Sequence, residues 1–137
     1  MQTIVVGYDE GEPAKRALAR AVELVKAFGG KLVVTSVARA FVPAGHGLGP
    51  TDPVDTIEEH DEQLRHAAAF LAEHDLEGEY VTALGDPAHE ILSVAERCEA
   101  DMIVVGTREP GVLSRLFGFS VSGGVKRHAH CDVLIVH

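Results

Sequence analysis

Two short apolar runs of this chain end in a glycine, and one of them continues into a carboxylate. Residues 3–6 are followed by Gly7 and then Asp9, and residues 102–105 are followed by Gly106. Such runs are typical of buried parallel strands, and α/β proteins bind ligands at the carboxyl ends of their strands. Glycine lets a main chain turn tightly and approach a ligand closely. The two runs therefore predict one shared binding crevice.

No catalytic signature accompanies this crevice. The sequence lacks a Gly-x-Ser-x-Gly elbow, a Gly-Lys-Ser/Thr phosphate loop and a His-Glu-x-x-His motif. Asp9 and Ser120 could meet across the crevice, but an aspartate and a serine lack the base that makes a hydroxyl nucleophilic. Binding is therefore favoured over dedicated catalysis.

His128, His130 and Cys131 lie close together in the sequence, so a metal site has to be weighed. Neighbouring residues that enter a strand point in different directions, which favours a structural role for all three residues. No metal is predicted. The other histidines are scattered on or near helices and loops without matched partners: His46, His60, His66, His74 and His89.

Length and composition exclude several classes of protein. The 137 residues predict a single domain over 1–137. No apolar run approaches the roughly 20 residues of a membrane span, and the first residues carry no signal-peptide pattern, so a cytoplasmic protein is expected. The net charge of −9 opposes binding to nucleic acid or anionic lipid. Cys98 and Cys131 are expected to be small buried hydrophobes and not a disulfide framework.

The elements that must position the crevice alternate along the chain. Apolar residues at helical spacing predict a helix over 12–28, with Gly11 as its N-cap and Phe28 on its buried stripe. Asp86 before a proline predicts another helix start. Further helices are predicted near residues 54–74, 87–98 and 120–129, and strands at residues 3–6, 31–37, 79–84, 102–105 and 132–136. Five strands alternating with four helices predict a doubly wound α/β fold, a parallel sheet with helices on both faces.

The order of elements and several motifs resemble the universal stress protein family over the whole chain. The motifs are Gly-Tyr-Asp at 7–9, Gly-Asp-Pro at 85–87, the run 101–106 with the glycine-bearing loop after it, Ser120-Val121-Ser122, and the tail 126–136. The resemblance implies a Rossmann-like sheet of the adenine nucleotide alpha hydrolase-like type, with strand order 3-2-1-4-5. Strands one and four are then neighbours whose connections leave in opposite directions, and such a switch point binds ligands.

The resemblance also implies contacts to the adenosine part of a nucleotide. Asp9 would meet the ribose or the base, Gly7 and Val37 would line the adenine slot, and Val105 would flank it. Two alternatives stay open, because valines at strand ends are also ordinary core residues and Asp9 could cap the turn that follows it.

The phosphate contacts are less well matched to the family pattern. Nucleotide-binding members carry Gly, two residues, Gly, nine residues, Gly and then Ser or Thr, which surrounds phosphates with backbone N–H groups. When this pattern is aligned without gaps, its first glycine matches Gly106 and its Ser/Thr position matches Ser120. The other two glycine positions are occupied by Glu109 and Phe119. A carboxylate about 4 Å from a phosphate costs about 1 kcal/mol in water and about 4 kcal/mol at a partly buried surface. The implied phosphate contacts that remain are Gly106, Ser120, Val121 and Ser122.

Two functions remain open after this comparison. The favoured one is a regulatory or protective stress-response module with a degenerate phosphate loop and weak or absent ATP binding. The alternative is an ATP-dependent switch with slow hydrolysis. A re-spaced loop would support the alternative, since Gly111 and Gly118 could replace the missing glycines and Arg108 and Arg115 could offset the charge of Glu109.

The last strand predicts a homodimer. Val133, Leu134, Ile135 and Val136 are apolar, and no charge within them discourages pairing at the edge of a sheet. The resemblance implies that this strand pairs with its copy in an antiparallel two-fold dimer, which closes the edge.

Overall fold

The computed structural model describes residues 2–39, 56–107 and 121–137, which form strands and helices in strict alternation. The strands are β1 (Thr3–Gly7), β2 (Lys31–Arg39), β3 (Glu79–Gly85), β4 (Met102–Gly106) and β5 (Asp132–Val136). The helices are α1 (Glu12–Phe28), α2 (Ile57–Glu73), α3 (Pro87–Arg97) and α4 (Val121–His128).

The strands form one parallel sheet of order β3-β2-β1-β4-β5, which confirms the predicted fold class and strand order. β1 lies at the centre, where Val5 is in register with Val33 of β2 and with Ile103 of β4. All three side chains are at most 1% exposed, because helices cover both faces of the sheet.

Alternate residues of each strand contribute to two separate core layers. Ile4 and Val6 point to one face, where they pack with the buried stripes of α1 and α2. Val5 points to the other face, where it packs with Ile91 of α3 and Val125 of α4. This period of two explains why the central strands are apolar at every position.

Local signals place the starts of the helices. The Asp86 carboxylate accepts a hydrogen bond from the backbone N–H of His89 at 3.0 Å, which confirms the predicted N-cap of α3. Thr56 caps α2 in the same way, by accepting from the N–H of Glu59 at 3.1 Å. Gly11 is the N-cap of α1, as predicted. Among the described helices, none has the length and apolar character needed to cross a bilayer.

Some predicted details are wrong. Phe28 is 75% exposed, because the buried stripe of α1 ends at Val25 and the helix stops at Gly29. Ile57, which helical spacing places on the apolar stripe of the second predicted helix, is 45% exposed in the first turn of α2. β2 runs on to Arg39, where it is still paired with β3.

The two central strands are joined at their amino-terminal ends by a reciprocal contact. The Asp101 side chain accepts a hydrogen bond from the backbone N–H of Thr3 at 2.8 Å, and the Asp101 N–H donates to the Thr3 carbonyl, also at 2.8 Å. Asp101 therefore sets the register of β1 against β4 just before the ladder of backbone hydrogen bonds begins.

The prediction that His60 has no matched partner is wrong. His60 is 5% exposed between α2 and the sheet, and its Nδ1 contacts the hydroxyl of Ser36 on β2. The same hydroxyl donates to Oε1 of Gln63 at 3.0 Å, so it has no second proton and the Nδ1–H group of His60 donates to it. These three side chains form a buried polar cluster in an apolar interface.

We predict that Ser36→Ala lowers the free energy of unfolding by about 1–3 kcal/mol, because it removes the group that both His60 and Gln63 contact in a buried site. Urea denaturation measures this change. Ser93→Ala is the control, since within the described residues the hydroxyl of Ser93 makes no hydrogen bond and its position in α3 favours alanine. Equal stability of the two variants would contradict the importance of the cluster.

Candidate functional site

β1 and β4 lie side by side, and the chain leaves their carboxyl ends in opposite directions. β1 leads through α1 to β2 on one side, whereas β4 leads to α4 and β5 on the other side. Parallel sheets bind ligands at such a divergence, so the predicted crevice corresponds to the region above the ends of these two strands.

The structure brings Gly7, Val37 and Val105 together at this point. A Cβ atom on Gly7 would lie 3.4 Å from Cγ1 of Val105 and 2.8 Å from Cδ1 of Ile91. Val37 and Val105 are 9% and 3% exposed, and both pack with Ile91 in one core layer. The two valines are thus core residues that also lie at the base of the crevice, and a side chain at Gly7 would require the tip of Ile91 to move.

Glycine is required at position 106 because β4 and α1 approach each other closely there. A Cβ atom there would collide with the backbone carbonyl of Pro13 and would lie 2.8 Å from the Cβ atom of Pro13. A backbone cannot move aside as the tip of a side chain can, so any larger residue would push α1 away from the sheet. Beyond Gly106, the N–H of Thr107 donates to the carbonyl of Val136 at 2.9 Å and keeps β4 paired with β5.

Asp9 stands in the turn between β1 and α1, and its side chain is exposed. Its Oδ1 accepts a hydrogen bond from the backbone N–H of Gly11 at 2.9 Å. Asp9 therefore has the capping contact that the sequence left open as an alternative to ligand binding. The two roles are compatible, because Oδ2 makes no hydrogen bond within the described residues and can accept one from a ligand hydroxyl.

Negative charge is concentrated in this turn. Tyr8 is 6% exposed, and burial raises the pKa of its hydroxyl, with further increases from the charges of Glu10 and Asp9. The backbone N–H of Tyr8 donates to the carbonyl of Thr35 at 2.9 Å, which ties the start of the turn to β2. The carboxylates of Asp9 and Glu10 are therefore close enough to one buried group to influence its ionisation.

Glu10 is the residue of this turn that sequence reasoning missed. Its φ angle is +65°, in the left-handed region that costs an L-residue roughly 1–2 kcal/mol. Its carboxylate accepts a hydrogen bond from Nδ1 of His66 on α2, so the prediction that His66 has no matched partner is also wrong. No sequence pattern links residues so distant along the chain.

Of the residues that the family resemblance assigns to phosphate contacts, the structure describes only some. Val121 and Ser122 are the first two residues of α4, whose amino-terminal N–H groups favour anions. Behind them Gly124 allows α4 to approach α3, since a Cβ atom there would lie 2.9 Å from that of Ala88. The predictions for the following residues lie outside the described residues: Arg108, Glu109, Gly111, Arg115, Gly118, Phe119 and Ser120.

The histidine and cysteine residues near β5 do not converge. His128 and His130 are exposed, whereas Cys131 is half-buried and packs on the core. Burial raises the pKa of the Cys131 thiol, and the charges of Asp132 and Asp101 raise it further, which disfavours the thiolate that a metal requires. Within 2–39, 56–107 and 121–137, no three His, Cys, Asp or Glu side chains form a metal site.

Cys98 was expected to be a small buried hydrophobe, and it is in fact half-buried at the C-cap of α3. Its Sγ donates to the carbonyl of Val94 at 3.0 Å. Burial is the main cause that raises the pKa of this thiol. Both cysteines are free and pack against the same core layer.

The fold defines an α/β protein with a doubly wound parallel sheet, and proteins of this class bind ligands at the switch point of the sheet. The model of the universal stress protein family matches residues 1–137, and the chain belongs to this family.

Individual relatives match over nearly their whole length. The chain is 35% identical over 138 residues to a protein of Thermus aquaticus named as the universal stress protein in the QAH/OAS sulfhydrylase 3'region, covering 98% of each chain. The structure of a universal stress protein from Archaeoglobus fulgidus is similar with a TM-score of 0.76 and 26% identity, covering 100% of this chain and 99% of that one. A universal stress protein in complex with cAMP is similar with a TM-score of 0.75 and 25% identity, covering 99% and 97%.

We predict that Gly106→Ala lowers the free energy of unfolding by about 2–3 kcal/mol and Gly7→Ala by about 1 kcal/mol. The difference arises because Gly106 faces the backbone of Pro13, whereas Gly7 faces the tip of Ile91, which can move. Chemical denaturation of the variants measures both values.

Ile91→Val supplies the control, because it removes the Cδ1 atom nearest to Gly7. Ile91→Val should destabilise the Gly7→Ala variant less than it destabilises the natural protein. Its effect on the free energy of unfolding should be additive with that of Gly106→Ala. Equal coupling to both glycine substitutions would show that the two positions are not constrained in the way described.

Proposed function

We propose that this protein is a cytoplasmic regulatory module of the stress response that holds an adenine nucleotide mainly by its nucleoside half. The observation that carries the proposal is the exposed Asp9 carboxylate beside an apolar base formed by Gly7, Val37 and Val105. Such a site offers a flat apolar surface to a purine and an acceptor to ribose hydroxyls. The similar universal stress protein in complex with cAMP supports an adenine nucleotide as the ligand.

The triphosphate should contribute little to affinity. The family's phosphate pattern places Glu109 and Phe119 where glycines stand in nucleotide-binding members. A carboxylate repels a phosphate group, and a phenylalanine is bulkier than the glycine that the family pattern has at this position. ATP is therefore expected to bind no more tightly than adenosine does.

The competing function is an ATP-dependent switch. Gly106 at the end of β4 and the helix start at Val121 and Ser122 favour it, because backbone N–H groups at a helix amino terminus attract phosphate. The two functions differ in one measurable respect. In a switch, the phosphates of ATP would add to the affinity for the nucleoside.

We predict that Glu109→Gly combined with Phe119→Gly tightens ATP binding roughly tenfold, which corresponds to about 1.4 kcal/mol, and leaves adenosine binding unchanged. Asp9→Ala should weaken both ligands, since it removes the acceptor for the ribose. Isothermal titration calorimetry of the variants with each ligand measures this. A natural protein that binds ATP far more tightly than adenosine, with no gain from the double substitution, would favour the switch.

We further propose that the protein acts as a homodimer through β5. Among the described residues, β5 pairs only with β4 and forms an edge of the sheet. The Val136 carbonyl accepts from Thr107, so the backbone groups of Leu134 and Val136 face β4 and those of Val133 and Ile135 face outward. An antiparallel copy of β5 would satisfy the outward groups.

The side chains of β5 point to the two faces of the sheet, and both faces are half-buried. Leu134 and Val136 pack on the layer that contains α1, and Val133 and Ile135 pack on the opposite layer, with all four half-buried. A substitution that tests the dimer should therefore alter the backbone and not only the side chain.

We predict that Ile135→Pro yields a folded monomer, because proline removes an N–H group that faces the open edge. Leu134→Pro is the matched control, since it removes a donor to β4 and should instead destabilise the subunit. Sedimentation at several concentrations, with circular dichroism to verify folding, distinguishes the two results. A natural protein that remains monomeric at high concentration would exclude this dimer.

A further inference from the structure

One contact connects the crevice to a helix that otherwise lies outside it. The turn of residues 8–11 presents Asp9, and the carboxylate of the next residue, Glu10, contacts Nδ1 of His66 in the middle of α2. The side chain of Glu10 is 32% exposed and that of His66 is 59% exposed. The turn that carries Asp9 is thus linked to a side chain that solvent and other molecules reach directly.

The turn needs such a contact because its backbone is unusual. Glu10 has a φ angle of +65°, a conformation that L-residues other than asparagine, aspartate and histidine rarely adopt. On the amino-terminal side, the N–H of Tyr8 is held by the carbonyl of Thr35 at 2.9 Å. On the carboxyl-terminal side, the N–H of Gly11 is held by Oδ1 of Asp9 at 2.9 Å. Between these two points, the contact with His66 is what fixes Glu10 from outside the turn.

We propose that His66 is a positioning residue for the crevice: it holds Glu10 and thereby fixes the direction of the neighbouring Asp9 carboxylate. This inference rests on the proposed function in assigning Asp9 to the ribose. His66 itself does not touch the ligand. It acts through the main chain, since Asp9 and Glu10 are adjacent and cannot reorient independently.

The charge of the turn supports the same role. Asp9 and Glu10 are adjacent carboxylates, and a nucleotide adds at least one further negative charge nearby. A carboxylate can only accept hydrogen bonds, so Nδ1 of His66 carries the proton and donates to Glu10. This bond keeps the Glu10 carboxylate directed to α2 and away from an anionic ligand.

The link works in both directions. If His66 improves the binding of a nucleotide by holding the turn, then a bound nucleotide holds the turn and strengthens the contact with His66 by the same factor. His66 lies on the exposed surface of α2, so a ligand in the crevice would change how firmly a side chain on that surface is held. An adenine nucleotide would thereby change the surface that a partner protein meets.

The first arm of the test uses the protein without ligand. Exchange of the Gly11 amide, measured by magnetisation-transfer NMR, reports whether the turn is held, because this amide donates to Asp9. His66→Ala should accelerate the exchange roughly fivefold, a typical lower value for energetic coupling between sites. His66→Asn should restore the slow exchange, since the asparagine amide nitrogen takes the position of Nδ1.

His74→Ala is the matched control, because His74 also joins α2 to another element, through a contact of 3.5 Å with Nζ of Lys26, but far from the turn. It should leave the exchange of Gly11 unchanged. Glu10→Gly is the second variant, since it removes the carboxylate and tolerates the left-handed backbone. It should accelerate the exchange as His66→Ala does. Unchanged exchange in both His66→Ala and Glu10→Gly would overturn the inference.

The second arm measures the affinity for AMP by calorimetry. His66→Ala should weaken binding roughly fivefold, His66→Asn should restore it, and His74→Ala should have no effect. If AMP binds the natural protein and His66→Ala leaves its affinity unchanged, the inference is wrong. If AMP does not bind the natural protein, the proposed function fails, and the exchange of Gly11 still decides whether His66 holds the turn.

Discussion

The pairing of β1 with β4 is the constraint on which the rest of this structure depends. It joins two strands that are far apart in the sequence, places five fully buried valines and isoleucines at the centre, and brings two glycine-terminated ends together. Everything that forms the crevice follows from it. Asp9 follows the end of β1, and Gly106 ends β4 at the same edge of the sheet. Asp101 sets this pairing at the opposite end with two backbone-directed hydrogen bonds.

Under the proposed function, the crevice divides into two halves with different physical bases. The nucleoside half consists of strand-end residues, which are as rigid as the sheet, and of Asp9, whose exposed carboxylate is held by the turn after β1. The phosphate half depends on a helix start and on residues whose types differ from the family pattern at Glu109 and Phe119. A protein that keeps the rigid half and changes the other can retain recognition of adenosine while it loses the contribution of a triphosphate.

Most of the fold was predictable from the sequence, because the signals are local. Asp86 followed by Pro87, Gly11 before Pro13, and apolar runs that end in glycine each specify one boundary, and a resemblance to the family supplied the strand order. Burial at the ends of helices was less predictable. Phe28 has the right spacing for the core but lies past the last residue that the sheet covers.

The polar contacts of α2 were not predictable at all. His60 bonds to Ser36 and His66 bonds to Glu10, and in both pairs the partners come from different elements. Helical spacing predicts which face of a helix a residue occupies, but it does not predict which polar side chain of another element will contact that residue. The left-handed backbone of Glu10 depends on the same tertiary context, since glutamate has no intrinsic preference for it.

The strand order also determines which strand edges are unpaired while the ribosome synthesises this chain. β1, β2 and β3 emerge in the first 85 residues and can pair at once, but the outer edge of β1 stays open until β4 has been synthesised. That edge carries Ile4, Val5 and Val6, which are all at most 1% exposed in the folded protein. The nascent protein therefore passes through a stage in which its future centre is an unprotected edge, open to pairing with other chains.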